Sequence, residues 1–292
     1  MDVLLPQTLE EAFEMAAAHP DVVPIAGGTD VMVELNMDLG LPETLMDVSR
    51  LPELREIRRE NGSVFLGAGV SYTRIMRELP ELTALVQASR SVGSPQIRNR
   101  GTVGGNLGTA SPAGDALPVL AAWDAEVVLG RAGGSTRSVP WDSFLTGVKQ
   151  NALEPGELIL GARWHVPNGP GSFSKIGTRN AMVIAVASLC LQVDELGRSI
   201  RVALGSVGPT VLRARDAETL AAQAFDDAGA WDDRREDLAD GAAERFGELA
   251  AEAASPIDDV RGTGAYRRHA VSVLARRALA WALADRQAEA VA

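Results

Sequence analysis

The stretch of residues 93–116 constrains this chain more than any other. It is rich in Gly, Ser, Asn and Thr and carries few large apolar side chains. Apolar-periodic segments flank it, so it reads as one long loop within a compact region, and such loops are usually functional. Its centre runs Gly101-Thr102-Val103-Gly104-Gly105-Asn106-Leu107-Gly108-Thr109-Ala110-Ser111-Pro112-Ala113-Gly114-Asp115. Hydroxyl or amide groups recur at Thr102, Asn106, Thr109 and Ser111. Many neutral donors beside glycines suit a polyphosphate, and Asp115 is left for a ribose or ribityl hydroxyl. The competing reading is a turn-rich connection without a ligand.

A second glycine segment stands near the N-terminus. Val22-Val23-Pro24-Ile25-Ala26 reads as a short apolar strand, and Gly27-Gly28-Thr29-Asp30 turns the chain directly after it. Glycine tolerates positive φ and close ligand approach, so exposed N–H groups here can form an anion-binding nest. The segment lacks the Gly-x-Gly-x-x-Gly spacing of a dinucleotide fingerprint and the Gly-Lys-Ser/Thr of a P-loop. Two such segments in one acidic chain favour nucleotide binding. Asp30 and Asp115 each have a second reading as helix caps, Asp115 for a helix starting near Ala116.

Charge and cysteine content narrow the function further. The 292 residues include 28 basic and 39 acidic side chains, a net charge of -11. That surface disfavours nucleic acid, yet backbone N–H groups bind phosphate without cations. The single cysteine, Cys190, sits in an apolar run and reads as a buried core residue. One thiol excludes an internal disulfide framework and a cysteine-ligated iron–sulfur cluster in this chain. His19, His165 and His269 lie apart from one another and from the glycine segments, so no catalytic constellation is expected. The first residues lack a basic region and a long apolar stretch, and no run matches a membrane span, so a cytoplasmic protein is expected.

The length suits two domains. Thr8-Leu9-Glu10-Glu11 predicts an amphipathic helix to about His19, capped by Thr8 with Glu11 closing a capping box. Strands are predicted at 44–48, 63–68 behind an Asn61-Gly62 turn, 125–129, 136–139 and 157–166, with short helices at 71–78 and 81–91. Beyond residue 172, strands at 173–177, 183–193 and 200–207 precede alanine-rich helices, the last over 265–285. Its apolar face, Val271, Leu274, Ala278 and Trp281, is either core or a docking surface, and the acidic stretch 226–252 reads as a solvated helical face. The expected fold class is α+β. The expected domains are 1–172, with subdomains about 1–60 and 61–172, and 173–292.

The motifs Ile25-Ala26-Gly27-Gly28-Thr29-Asp30, Thr102-Val103-Gly104-Gly105-Asn106 and Thr109-Ala110-Ser111-Pro112-Ala113-Gly114-Asp115 resemble the FAD-binding medium subunit of the molybdenum hydroxylases. That family includes xanthine dehydrogenase and carbon monoxide dehydrogenase. The resemblance covers nearly the whole chain, with Glu157-Leu158-Ile159-Leu160, Lys175 with Arg179, and Val260-Arg261-Gly262-Thr263 also fitting. It implies a two-subdomain FAD-binding domain followed by a smaller α+β domain. It implies that Ile25, Ala26, Gly27, Gly28, Thr29, Asp30, Val31 and Met32 wrap the FAD pyrophosphate, and that Thr102, Val103, Gly104, Gly105 and Asn106 bind it from the other side. Thr109 and Asp115 would fix further polar parts of the cofactor. Ile159 would pack near the adenine or the ring system, and Lys175 would lie near the isoalloxazine.

The resemblance further implies partners: a large molybdopterin subunit that hydroxylates the substrate, and a small subunit with two [2Fe-2S] clusters, assembled as a dimer of heterotrimers. Electrons would pass through those clusters to FAD and on to an external acceptor. Some relatives, including the xanthine-oxidising enzymes of animals, carry acidic residues after the equivalent of Lys175, where this chain has Arg179-Asn180-Ala181-Met182-Val183-Ile184. NAD⁺ as acceptor therefore does not carry over. The alternatives are a self-contained FAD oxidoreductase of the same wider fold and a non-redox nucleotide-binding module.

Overall fold

The structure is a computed structural model and describes residues 1–37 and 42–291. It has the expected α+β character and divides into two compact units, neither continuous in sequence. The first comprises Met1–Glu78, Gly93–Ser111 and Asp124–His165; the second comprises Leu79–Val92, Pro112–Trp123 and Val166–Ala292.

The first unit begins with the strand Asp2–Leu4 and the helix Leu9–Ala18. Thr8 caps that helix, its Oγ1 accepting the Glu11 N–H at 3.2 Å. Glu11 returns a carboxylate oxygen to the N–H of Gln7 at 2.7 Å, one residue earlier than a standard capping box. The helix connects Asp2–Leu4 to Val23–Ile25, and both pair in parallel with the central strand Thr44–Asp47. Parallel pairing requires such crossovers. Ala12, Phe13 and Ala16 pack with Met46, Val48, Leu51 and Leu54 into one apolar cluster.

An antiparallel five-stranded sheet completes this unit, in the order Ile57–Glu60, Ser63–Gly67, Leu158–His165, Glu126–Gly130, Thr136–Pro140. Asn61 and Gly62 both take positive φ, 50° and 75°, as a two-residue hairpin of primed type requires. The strand Ile57–Glu60 is absent from the sequence-based expectation because its only apolar residue is Ile57. It is an edge strand, and Arg58 covers the Phe65 ring at 4.2 Å.

The long loop expected at 93–116 is largely helical, which corrects the sequence reading. Pro95–Arg100 and Val103–Thr109 are helices. Ser94 caps the first, its Oγ accepting the Ile97 N–H, and Thr102 caps the second, its Oγ1 accepting the Gly105 N–H. Three glycines within Val103–Thr109 each weaken a helix by about 1 kcal/mol against Ala. Tertiary packing overrides that preference, because Val103, Gly104 and Leu107 are buried.

The second unit is built on the antiparallel sheet Gly171–Ile176, Ala187–Asp194, Ser199–Gly205, Leu212–Arg213. The strand Ala187–Asp194 is buried on both faces. Leu189, Leu191 and Val193 share a core with the helices Arg215–Asp227, Ala242–Glu252 and Gly264–Val291. On the alternate face, Gln192 accepts the Trp123 indole N–H at 2.9 Å, and Cys190 is wholly enclosed. Burial pushes the Cys190 thiol far up, consistent with an inert core residue. In the last helix Val271, Leu274 and Ala278 are core, whereas Trp281 is exposed. Helix covers only part of the acidic stretch 226–252, and Phe246 and Ala250 within it are buried.

Two enclosed arginines tie the C-terminal helix to the rest of this unit. Arg267 donates to the carbonyls of Val186 and Ser206 and to Asp259 Oδ1 at 2.6 Å. Arg286 donates to Glu195 Oε1 at 3.0 Å and to the Ala230 carbonyl at 2.7 Å. Each is tolerated in the interior because its charge is paired with a carboxylate and most of its nitrogens find acceptors; Arg267 Nε and one terminal nitrogen of Arg286 find none among the described residues.

Candidate functional site

Both glycine segments lie in the first unit, and the fold brings them into contact. A Cβ on Gly27 would stand 2.1 Å from the Arg100 carbonyl oxygen, so this position tolerates no side chain. Further along, Thr109 Oγ1 donates to Asp30 Oδ2 at 2.7 Å. Asp30 stands at the N-cap of the helix Val31–Asn36, yet its side chain makes no cap hydrogen bond. The cap reading of its carboxylate is therefore replaced by a link between the two segments. Glu34 in that helix adds a second link, its Oε1 lying 2.6 Å from Lys149 Nζ. Ile159 joins the same region: its Cδ1 is 3.8 Å from where a Gly108 Cβ would be.

The two segments differ in their free donors. Among the described residues, the backbone N–H groups of Gly27, Gly28, Thr29, Asp30 and Val31 donate to no protein acceptor. Gly28 has φ +74°, and the bend it allows aims successive N–H groups to one side, the geometry of an anion nest. In the second segment three successive N–H groups, those of Gly104, Gly105 and Asn106, are taken. Gly104 donates to the Ala68 carbonyl at 3.0 Å, Gly105 to Thr102 Oγ1 at 2.9 Å, and Asn106 to the Thr102 carbonyl at 3.1 Å. A Cβ on Gly104 would lie 2.4 Å from the Ala68 Cβ, so this glycine lets the helix seat on the sheet. Gly105 and Gly108 are exposed and leave this stretch of the helix without side chains; a Cβ would meet only Thr102 Oγ1 at 3.3 Å and Ile159 Cδ1 at 3.8 Å.

Asp115 and Lys175 belong to the second unit and pair with each other. Lys175 Nζ lies 2.6 Å from Asp115 Oδ2 and 3.0 Å from the Ser91 carbonyl oxygen. Both side chains are at least nine-tenths enclosed. Asp115 does not cap the helix Leu117–Ala122: Ala116 holds the cap position, without a side-chain hydrogen bond. Burial pushes the Asp115 carboxyl above the usual carboxylate range, while the Lys175 ammonium and the Ser91 hydroxyl pull it down. Ser91, which sequence reasoning passed over, donates its hydroxyl to Asp115 Oδ2 at 2.9 Å. No local signal marks it, because a serine closing a helix is commonplace.

Two orphaned atoms test whether these residues suit a polar ligand. Asn106 Oδ1 and Asp115 Oδ1 are buried and lack a hydrogen-bond partner among the described residues. Buried acceptors are seldom left so, and a ligand bearing hydroxyl or N–H groups would satisfy them. Within the first unit, free backbone donors, exposed glycines and the orphaned Asn106 Oδ1 fit a nucleotide-type cofactor with a phosphate chain and sugar hydroxyls; Asp115 Oδ1 offers a like acceptor in the second unit.

The family described as FAD binding domain in molybdopterin dehydrogenase matches residues 1–168. The chain belongs to this family. The CO dehydrogenase flavoprotein C-terminal domain matches residues 172–282. The nicotinate dehydrogenase FAD-subunit of Eubacterium barkeri is 35% identical over 229 residues, covering 74% of this chain and 77% of that protein. The carbon monoxide dehydrogenase medium chain of Hydrogenophaga pseudoflava is 31% identical over 278 residues, 90% of each chain. A solved structure of carbon monoxide dehydrogenase from Hydrogenophaga pseudoflava superposes with a TM-score of 0.85 at 27% identity, covering 98% of both chains. This chain is therefore an FAD-carrying electron-transfer subunit of a molybdopterin-dependent dehydrogenase, and a self-contained flavoenzyme is not favoured. Relatives of this chain carry the names of medium chains and complex subunits, that is, of parts of multi-subunit enzymes. No described helix is long and apolar enough to cross a membrane.

Proposed function

We propose that the FAD pyrophosphate is held chiefly by the row of free N–H groups from Gly27 to Val31, within a segment reaching from Ile25 and Ala26 to Met32. Those unclaimed donors are the observation that carries this reading. The helix beginning at Thr102 and Val103 backs the segment, and its bare surface at Gly105 and Gly108 gives the cofactor room for close approach. Asn106, Thr109 and Asp115 supply polar contacts, Ile159 an apolar one, and Lys175 a cation compensated by Asp115. Gly104 acts through packing rather than through contact.

FAD, when bound, supplies a two-electron carrier, and the protein binds and tunes it rather than contributing a nucleophile or base. Bound FAD would take up electrons from iron–sulfur clusters on a small subunit and would supply them to an external acceptor. The substrate meets the molybdopterin subunit. The assembly is a dimer of heterotrimers in the cytoplasm, and in this chain FAD recognition falls mainly within residues 1–172, with 173–292 as a supporting domain. The test is purification with co-purifying subunits, followed by flavin extraction. A yellow complex with about one FAD per chain supports the reading, and a colourless chain that cannot be reconstituted with FAD refutes it.

A further inference from the structure

Ser91 ends the helix Thr83–Ser91, Asp115 precedes the helix Leu117–Ala122, and Lys175 lies on the edge strand Gly171–Ile176. Three elements of the second unit thus meet at one carboxylate. Asp115 Oδ2 is doubly held, by Lys175 Nζ at 2.6 Å and Ser91 Oγ at 2.9 Å. Its other oxygen, Oδ1, is buried and has no hydrogen-bond partner among the described residues. Ser91 acts twice, because its backbone carbonyl also accepts from Lys175 Nζ at 3.0 Å. Its hydroxyl has one proton and two acceptors in reach, Asp115 Oδ2 and the Ala88 carbonyl at 2.8 Å. A charged acceptor outcompetes a neutral carbonyl for that proton.

We propose that Ser91 is a positioning residue for cofactor recognition: it holds Asp115 and Lys175 as one charge-compensated pair and so fixes the bare Asp115 Oδ1 as the acceptor for a sugar hydroxyl of FAD. The inference rests on the FAD reading above. It assigns the recognition step to an oriented carboxylate oxygen rather than to a free Lys175 cation, since that cation already has its counter-charge. Sugar hydroxyls occur on the ribityl chain and on the adenosine ribose, and two fragments separate them.

The experiment titrates FAD-free protein with FAD, FMN and ADP for the parent, Ser91→Ala and Ser91→Thr, alongside the melting temperature of each FAD-free chain. Ser91→Ala is expected to bind FAD about tenfold more weakly, the scale of one hydrogen bond to a charged group. Ser91→Thr, which keeps the hydroxyl, recovers most of the affinity, and all three FAD-free chains remain cooperatively folded at the titration temperature. A loss shared by FMN but not ADP assigns the ribityl hydroxyls, and the reverse assigns the ribose. Equal FAD affinity in the parent and Ser91→Ala overturns the proposal. So does a loss that Ser91→Thr fails to recover, or a loss that appears on neither fragment. A parent chain that takes up no FAD is a different result and overturns the cofactor reading itself.

Discussion

At Gly28 the missing side chain serves the backbone, which adopts φ +74° with only side-chain carbons nearby, at 3.4 Å and beyond. At Gly104 it serves the neighbour, because a Cβ there would collide with Ala68. The first segment keeps its N–H groups unclaimed, and the second spends them on its own helix and on Ala68. Two stretches with the same Gly-Gly signature thus differ in kind: one leaves its donors open, and the other is packed against its neighbour. Glycine content alone does not distinguish these roles; the fate of the adjacent donors does.

Substitutions can break this division. Gly104→Val meets the Ala68 Cβ and carbonyl at 2.4 and 2.5 Å. It is expected to destabilise the protein by about 3 kcal/mol or more, read by chemical denaturation of the FAD-free chain. Flavin loss then follows unfolding, and a normally stable Gly104→Val chain lacking flavin would reverse the assignment. Gly28→Ala should cost only about 1–2 kcal/mol, for a left-handed conformation with room around it. Its larger effect should fall on FAD affinity, so a titration showing unchanged affinity argues against the nest.

The link between the segments is testable by itself. Thr109→Val removes the donor to Asp30 and is expected to cost about 1 kcal/mol. A double-mutant cycle with Asp30→Ala should show that the two losses do not add, and additive losses would mean that the 2.7 Å contact carries no energy. The smallest effect concerns acid. Glu78 ends the helix Tyr72–Glu78, whose first N–H, from Tyr72, donates to the Gly101 carbonyl behind the second segment. Hydrogen bonds from Arg74, then Arg77, lower the Glu78 carboxyl from 4.5 to about 2. A lowered carboxylate stabilises the fold above its unfolded value and loses that contribution as pH falls towards its folded one. The melting difference between the parent and Glu78→Gln should therefore be full at neutral pH and shrink between about pH 4.5 and 2. A difference independent of pH would remove the ion pairs as its cause.

Much of the first unit was legible where local chemistry decides structure. Thr8 and Glu11 marked a helix start, and Asn61-Gly62 a hairpin, because each satisfies its own neighbours. The helix Val103–Thr109 was illegible, since its glycines argue against helix and only contact with Ala68 outweighs them. The site residues were assigned as a set through their resemblance to a family. Which donors stay free, and that Asp30 and Asp115 bond elsewhere than a helix end, depended on residues distant in sequence: Thr109 for Asp30, Lys175 and Ser91 for Asp115. Ser91 itself had no signature.

The interleaving of the two units bears on how the chain is made. The helices Thr83–Ser91 and Leu117–Ala122 leave the ribosome well before the sheet strands Gly171–Ile176 and Ala187–Asp194 that they cover. Leu85, Ala88, Leu117 and Leu120, all fully enclosed in the finished fold, stay uncovered meanwhile. Contacts between such distant segments slow folding and prolong the exposure of apolar surface. The order of the segments therefore sets how long this apolar surface waits for its cover.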